Sequence, residues 1–262
     1  MTVPRTVQLP APSPALAQSV AERLLASARD RDFFRRVWAT PGEVYEERLR
    51  AVGFSRLGRV LDAGCGFGQW TAAMARLNAE VVGIDVSAER IAAAREMADA
   101  AGLRNIAFRT GTLEALDDSD GAFDAVFSYS VVQMTDYRAS LRRLHALLAP
   151  GGLLYLNTNG LGWYVYNLLE SHNDSADFSS RQMALDALEN TIDYFATGVH
   201  APGKSIILPS RVLAADLEAL GFEVLAQGPD ASIRHAAASP RAFFDPVKYG
   251  YESVYELVAR RR

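Results

Sequence analysis

Val60-Leu61-Asp62-Ala63-Gly64-Cys65-Gly66-Phe67-Gly68 decides the fold of this chain. A short apolar run ends in an acid, then in glycine at alternate positions, and residues 72–77 carry on with a helical pattern. Glycine turns the backbone tightly and lets a ligand approach without meeting a Cβ. A second apolar run, Glu80-Val81-Val82-Gly83-Ile84-Asp85, follows. Strand, turn, helix and strand predict a parallel sheet whose ligand crevice opens at the carboxyl ends of its strands.

The pattern continues outward from there. Residues 87–101 predict a helix capped by Ser87 and stopped by Gly102, with Arg90 where a Glu would complete a capping box. Short strands are expected at 105–109 and 123–128, a helix at about 137–148, and a strand at 153–157 after the Pro150-Gly151-Gly152 turn. The alternation lapses over 160–203, where 163–170 and 180–195 look helical. A helix over 210–220, with Ser210 as its cap, and strands at 222–226 and 251–258 close the pattern. Ahead of the first strand, 15–29 has helical spacing, Phe33, Phe34, Val37 and Trp38 extend an apolar face, and 43–52 predicts another short helix. Proline-rich residues 1–14 read as a flexible, extended leader.

Details of the glycine loop narrow the ligand. A dinucleotide fingerprint needs a third small residue where this chain has Gln69, and no Gly-Lys-Ser/Thr follows, so neither Gly-x-Gly-x-x-Gly nor a phosphate P-loop is present. Asp85 stands at the end of the second strand, where an acid reaches a ribose diol and would repel a phosphate. An adenosine ligand without a phosphate fits both observations.

The four segments VLDAGCGFG, VVGIDVS, FDAVFSYSVVQM and LLAPGGLLYLN, in that order and spacing, resemble the class I S-adenosylmethionine-dependent methyltransferases. The resemblance is strong over residues 56–158 and looser beyond them. It implies an α/β, Rossmann-like, doubly wound and mostly parallel seven-stranded sheet, with N-terminal helices and a helical insertion after the fifth strand. The organisation then reads as the leader 1–14 and a single domain 15–262. Within that domain lie a donor-binding core at about 56–158, a helical substrate cap at about 159–203, and a C-terminal helix and strands at 204–262.

What the resemblance implies for the donor, S-adenosylmethionine, maps onto particular positions. Gly64, Gly66 and Gly68, with Cys65 between them, would pass beneath its methionine portion, and Asp62 would lie near its amino group. Asp85 would hold the ribose hydroxyls and Val86 would pack on the adenine. In Gly111-Thr112-Leu113-Glu114, Thr112 replaces the Asp that often bonds the adenine amino group, Leu113 would offer its N–H to the ring, and Glu114 lies beside them. Ser128 and Gln133 would complete the donor side after the fourth strand. The family's N-terminal helices often fold over the donor, which would bring Tyr45 and Arg48 toward the methionine carboxylate.

On the acceptor side, Tyr129, Asn159, Trp163, Tyr166 and Asn167 combine rings and amides suited to a polar organic molecule with apolar faces, such as a sugar or a cyclic natural product. Methyl transfer from a sulfonium draws mainly on positioning and water exclusion. A general base matters most for a hydroxyl or a protonated amine. His172 and His200 are the base candidates because they lie in the segment that would cover the cleft. Ser171-His172-Asn173-Asp174 matches no metal-ligand spacing, and no metal is expected.

Composition bounds the partners. The chain has 262 residues, 49% of them hydrophobic, enough for a sizeable core. Lys+Arg 27 against Asp+Glu 31 gives a net charge of -4, which disfavours a nucleic-acid binder, since phosphate contacts supply most of that affinity. Arg35-Arg36, Arg142-Arg143 and Arg260-Arg261-Arg262 are scattered and read as solvated surface. Cys65 is the single cysteine, so no internal disulfide forms and a reducing compartment is expected. No signal sequence is evident and no run reaches the ~18 apolar residues of a membrane span. The expectation is a cytoplasmic methyltransferase of a small-molecule acceptor, with no membrane and no nucleic-acid partner, and with a homodimer left open. The alternatives are a methyltransferase of RNA or protein, a nicotinamide-dependent oxidoreductase on a similar fold, and a non-catalytic binding protein. Gln69 and Asp62 speak against the oxidoreductase. Ser128-Tyr129-Ser130-Val131 replaces the Asn/Asp-Pro-Pro-Tyr-type motif of amino-methylating relatives.

Overall fold

A computed structural model of the chain describes residues 12–117, 121–234 and 240–262. The expected leader lies outside these residues except for 12–14. Three helices come first: α1 (Pro14–Leu24), α2 (Ala28–Ala39) and α3 (Gly42–Ala51). Then strands and helices alternate through β1 (Arg59–Ala63), α4 (Gln69–Leu77), β2 (Glu80–Asp85), α5 (Ala88–Ala100), β3 (Ile106–Thr110), β4 (Phe123–Tyr129), α6 (Tyr137–Leu147) and β5 (Leu148–Asn159). The insertion holds α7 (Leu161–Glu170) and α8 (Ser180–Thr197). The chain closes with α9 (Ser210–Ala219), β6 (Phe222–Pro229), the short hairpin β7 (Val247–Lys248) and β8 (Tyr251–Glu252), and β9 (Val254–Arg261).

The main sheet has seven strands in the order β3-β2-β1-β4-β5-β9-β6. β1 runs parallel to β2 and β4, whereas β9 is antiparallel to both β5 and β6. This is the expected Rossmann-like arrangement. The central strands are apolar on both faces because helices cover both. Leu61, Ile84, Val126, Leu154 and Leu156 face α6 and α9 with Leu141, Leu144, Leu213 and Leu217. Val60, Val81, Phe127 and Tyr155 face α3 and α4 with Leu49, Trp70 and Met74, and Phe54 after α3 joins them. Each large side chain buried this way stabilises the fold by ~1.5–3 kcal/mol. The order reverses at β1 and β4, so the carboxyl ends of β1, β2, β4 and β5 frame one crevice.

Some boundaries differ from the sequence reading. The expected helix over 15–29 breaks after Leu24, because the Ser27 hydroxyl accepts the Asp30 N–H and starts α2 afresh. Ser87 caps α5 as expected, accepting the Arg90 N–H, but Ser210 is the first residue of α9, with Pro209 in the cap position. The expected strand at 251–258 divides into β8 and β9.

Candidate donor and acceptor site

The loop after β1 is held from both sides. The N–H groups of Gly64 and Cys65 both donate to the Ile84 carbonyl at the end of β2, each at 2.9 Å. Gly64 has φ +85°, and a Cβ there would lie 2.3 Å from Val131 Cγ2, so the segment after β4 rests directly on this glycine. Ser128 donates from Oγ to the Ala63 carbonyl at 3.0 Å, a second tie between β4 and the loop. Around Gly66 a Cβ would meet nothing, so the loop borders open space there. Cys65 is buried, and burial pushes its thiol well above the ordinary range; it packs and is no nucleophile.

The two acids differ. Asp62 is 2% exposed and, among the described residues, accepts one hydrogen bond, from Thr71 Oγ1 at 2.6 Å. Burial, with Asp85 nearby, pushes its carboxyl up to about 7. Asp85 accepts from the Gly66 N–H at 3.0 Å and the Ser87 N–H at 2.9 Å, so its two oxygens span the glycine loop and the start of α5. Each oxygen keeps a lone pair for a further donor. Beside it Val86 is 66% exposed, an apolar side chain open to solvent at the crevice edge.

The remaining donor-side positions are more occupied. Thr112 accepts the Ala115 N–H at its hydroxyl and starts a single turn, Leu113 is buried, and Glu114 accepts from Ser140 Oγ. Gln133 is buried, with its Oε1 taken by Thr158 and its carbonyl by the Ile206 N–H. The structure therefore brings together Asp62, the glycines, Asp85 and Val86. It commits the side chains of Ser128 and Gln133 to the scaffold.

Of the acceptor-side residues, Tyr129 ends β4 with its ring 4.9 Å from Trp70 and its hydroxyl on Asp230 Oδ1. Asn159 ends β5 under the insertion, where it and Ser205 flank Tyr164. Among the described residues the buried Tyr164 hydroxyl finds no partner of hydrogen-bond geometry, and burial pushes it up to about 12. Trp163 packs edge-on to Tyr164. Asn167 is buried and spent on the Trp163 carbonyl and on Asn173, so it holds the insertion together. Tyr166 packs on exposed His172 and lies under Lys248 Nζ. His200 is bonded to the Lys204 carbonyl at 2.9 Å. Among the described residues no hydrogen bond joins either histidine to the glycine loop or to the ends of β4 and β5.

A buried ionic cluster at the carboxyl edge escaped sequence reading. Arg48 Nη2 lies 2.8 Å from Asp230 Oδ1 and 3.0 Å from Glu256 Oε2, all three side chains at most 3% exposed. Asp230 also accepts from Asn157 Nδ2, Tyr129 Oη and the N–H groups of Phe243 and Phe244. Arg48 is thus turned away from the position expected of it near a methionine carboxylate, because two buried carboxylates claim its guanidinium. Tyr45 likewise donates to the Val37 carbonyl. Asp230 hides in Gly228-Pro229-Asp230-Ala231-Ser232, which reads as a solvated turn, and Glu256 lies among apolar neighbours. The only cue is an acid amid the apolar run of a last strand.

The N-terminal helices lie against the donor loop. Trp38 Nε1 donates to the Phe67 carbonyl, and Arg90 at the start of α5 holds Asp30 of α2 through two bonds. From the insertion, Asp177 accepts the N–H groups of Ala28 and Arg29 at 2.8 and 3.1 Å, and the Arg29 guanidinium sits 3.6 Å over the Phe178 ring.

Comparison with known proteins agrees with this geometry. Residues 60–152 match the model of a methyltransferase domain. The chain is 31% identical over 167 residues to a ubiquinone biosynthesis O-methyltransferase of Azorhizobium caulinodans, covering 63% of this chain and 59% of that protein. It is 41% identical over 111 residues to the protein of that name from Bradyrhizobium sp., covering 42% of this chain and 43% of the relative. The chain thus spans about half the length of the relatives it matches. Among solved structures, the [4+2]-cyclase SpnF shares the fold with a TM-score of 0.57 at 22% identity over 94% of this chain and 91% of that one. Magnesium protoporphyrin IX methyltransferase of Synechocystis, with bound S-adenosylhomocysteine, does so with 0.54 at 18% identity over 94% of this chain and 100% of that one. Residues 60–152 are thus similar to a methyltransferase domain, and the chain shares the fold of solved methyltransferases.

Proposed function

We propose that the protein uses S-adenosylmethionine to methylate an oxygen or nitrogen of a small organic acceptor, with oxygen preferred. The observation that carries the reading is Asp62: a buried carboxylate with one hydroxyl partner among the described residues, placed two residues before an open glycine loop. Such a group calls for a cationic ligand, because an unpaired buried charge is costly. The ammonium of the donor's methionine portion supplies one. Asp85 has a free lone pair on each oxygen for the ribose hydroxyls, and exposed Val86 offers an apolar seat for the adenine.

When bound, the donor supplies a methyl already activated on sulfonium. The chain's own part is to hold that group in line with the acceptor and to keep water out. Residues 159–203 serve as the acceptor's cover, with Tyr129 and Asn159 at its floor. Neither histidine is assigned a proton-transfer role. The names of the relatives support oxygen as the acceptor atom, and the net charge of -4 supports a small molecule over a polyanion. Among the described residues, no helix is long and apolar enough to cross a membrane and no acid, histidine or cysteine cluster could hold a metal ion.

Titration calorimetry with S-adenosylmethionine and S-adenosylhomocysteine tests the donor assignment. Micromolar binding that is lost in Asp85→Ala is expected. Absence of binding by the unaltered protein at millimolar ligand would overturn the reading.

A further inference from the structure

We propose that Ser130 is an acceptor-binding residue whose hydroxyl oxygen, turned outward by Asn157, receives the hydrogen bond of the O–H or N–H group that takes the methyl. The inference rests on the methyltransferase reading and specifies the acceptor group.

Three observations converge on this residue. First, Ser130 has φ +57°, in the left-handed region that side chains other than glycine, Asn and Asp rarely occupy. Such a conformation costs ~1–3 kcal/mol and persists where surrounding structure enforces it, often at a functional site. Here the enforcement is visible: the Ser130 N–H donates to the Asn157 carbonyl at 2.8 Å and its Oγ lies 3.1 Å from Asn157 Oδ1.

Second, the direction of that side-chain bond is fixed by the ionic cluster behind it. Asp230 only accepts, and it is already held by Arg48, so Asn157 must present its NH₂ group to Asp230 Oδ1, at 3.1 Å. That leaves the Asn157 amide oxygen toward Ser130, which can only accept. Ser130 therefore donates its hydroxyl proton inward. Among the described residues nothing donates to its oxygen, whose lone pairs stay unclaimed on a half-buried side chain.

Third, the position is right for the reaction. The next residue, Val131, rests on Gly64, and two residues earlier Ser128 bonds the Ala63 carbonyl. Ser130 thus lies at the seam between the glycine loop and the end of β5, where donor and acceptor must meet. An oxygen that offers only lone pairs selects a partner that brings a proton. A hydroxyl or neutral amine satisfies it, whereas a carboxylate, phenolate or ether oxygen does not. A hydroxyl bonded this way keeps a lone pair free to form the bond to the methyl as the methyl–sulfur bond of the sulfonium breaks to leave a neutral thioether; Ser130 positions the group without taking its proton, which passes to solvent water.

The test uses the full chain, S-adenosylhomocysteine and two probes. Catechol carries two O–H groups; 1,2-dimethoxybenzene has the same ring and none. Calorimetry first titrates S-adenosylhomocysteine into the unaltered protein and into Ser130→Ala and Ser130→Gly, then adds each probe to the saturated complex. Failure at the first step refutes the donor assignment and this inference with it. Given donor binding, the expected result is equal affinity for S-adenosylhomocysteine in all three proteins. Catechol should bind about five- to tenfold more weakly to both variants, the scale of one neutral hydrogen bond, and dimethoxybenzene should not distinguish them. Ser130→Gly relieves the backbone strain and should melt higher than Ser130→Ala. A Ser130→Gly variant that binds catechol like the unaltered protein, or a donor complex that binds no catechol, overturns the inference and leaves the donor assignment standing.

Discussion

Asp62 and Thr71 form a closed pair: the carboxylate accepts the Thr71 hydroxyl at 2.6 Å and touches no cation among the described residues. Its carboxyl is pushed up to about 7 by burial, against ~3.9 for a free Asp. Between those values the folded protein holds a proton that the unfolded chain has released, so stability falls as pH rises across that window. Asp62→Asn keeps the Thr71 bond and removes the charge. Denaturant unfolding at pH 8 should find it more stable than the unaltered protein by roughly 2–4 kcal/mol. The same variant should bind S-adenosylhomocysteine at least about tenfold more weakly, for want of an ion pair with the ammonium. In the unaltered protein, donor affinity should rise with pH through about 7 as Asp62 gives up its proton. A flat affinity between pH 6 and 8 would contradict the assignment.

Asp85 has a structural task as well as a binding one. Its oxygens gather the N–H groups of Gly66 and Ser87, and charge-assisted bonds of this kind contribute ~1.5–3 kcal/mol each. Asp85→Ala should therefore lower thermal stability even without donor. Asp85→Asn retains one acceptor oxygen and loses the other bond, so it should melt between Asp85→Ala and the unaltered protein, yet lose most affinity for S-adenosylhomocysteine. Differential scanning fluorimetry beside calorimetry separates the two effects.

What the sequence reveals of this molecule is unequal, and the reason is range. The β1 loop, Asp85 and the α5 cap are local features whose geometry follows from a few adjacent residues, and the parallel core of the sheet follows from strands alternating with helices. The two ends of the Arg48–Asp230–Glu256 cluster lie about two hundred positions apart, on α3 and on the last strands. No local pattern couples them. Ser130 shows the same limit: its αL conformation follows from Asn157 on the neighbouring strand, not from its own dipeptide. Asn167 and Gln133 look like ligand amides in sequence but fold inward to satisfy buried neighbours. Helix spacing alone does not decide which face of an amide-bearing segment turns to the cleft.

The buried cluster predicts a steep mutational cost. Burial opposes the Arg48 charge, but the surrounding carboxylate and phenol oxygens outweigh it and raise its pKa. Arg48→Met leaves two carboxylates buried without their cation, a change that costs ~3–5 kcal/mol. Guanidinium unfolding should show that loss. Adding Glu256→Gln to Arg48→Met should recover part of it, since one uncompensated charge is then removed. A double variant no more stable than Arg48→Met would show that packing of the Arg48 stem against Trp70 and Phe243, not charge, sets the cost.

Asp177 predicts a kinetic effect. It belongs to the insertion but caps α2, holding the N–H groups of Ala28 and Arg29. Hydrogen bonds from the Ser27 and Ser175 hydroxyls depress its pKa, so it is ionised at neutral pH. Because α2 also carries Trp38 against the glycine loop and Asp30 against Arg90, the two segments that flank the crevice are joined at this carboxylate and at the Arg29–Phe178 contact. Asp177→Ala removes a helix cap, which costs ~0.5–2 kcal/mol, and frees the insertion to part from α2. Global stability should change by no more than that cap. Dissociation of S-adenosylhomocysteine, followed by stopped-flow through Trp38 and Trp70 fluorescence, should accelerate several-fold. Phe178→Ala removes the ring beneath Arg29 but keeps the cap, and should accelerate release less. Equal release from all three proteins would mean that the joint between α2 and the insertion does not govern donor exchange.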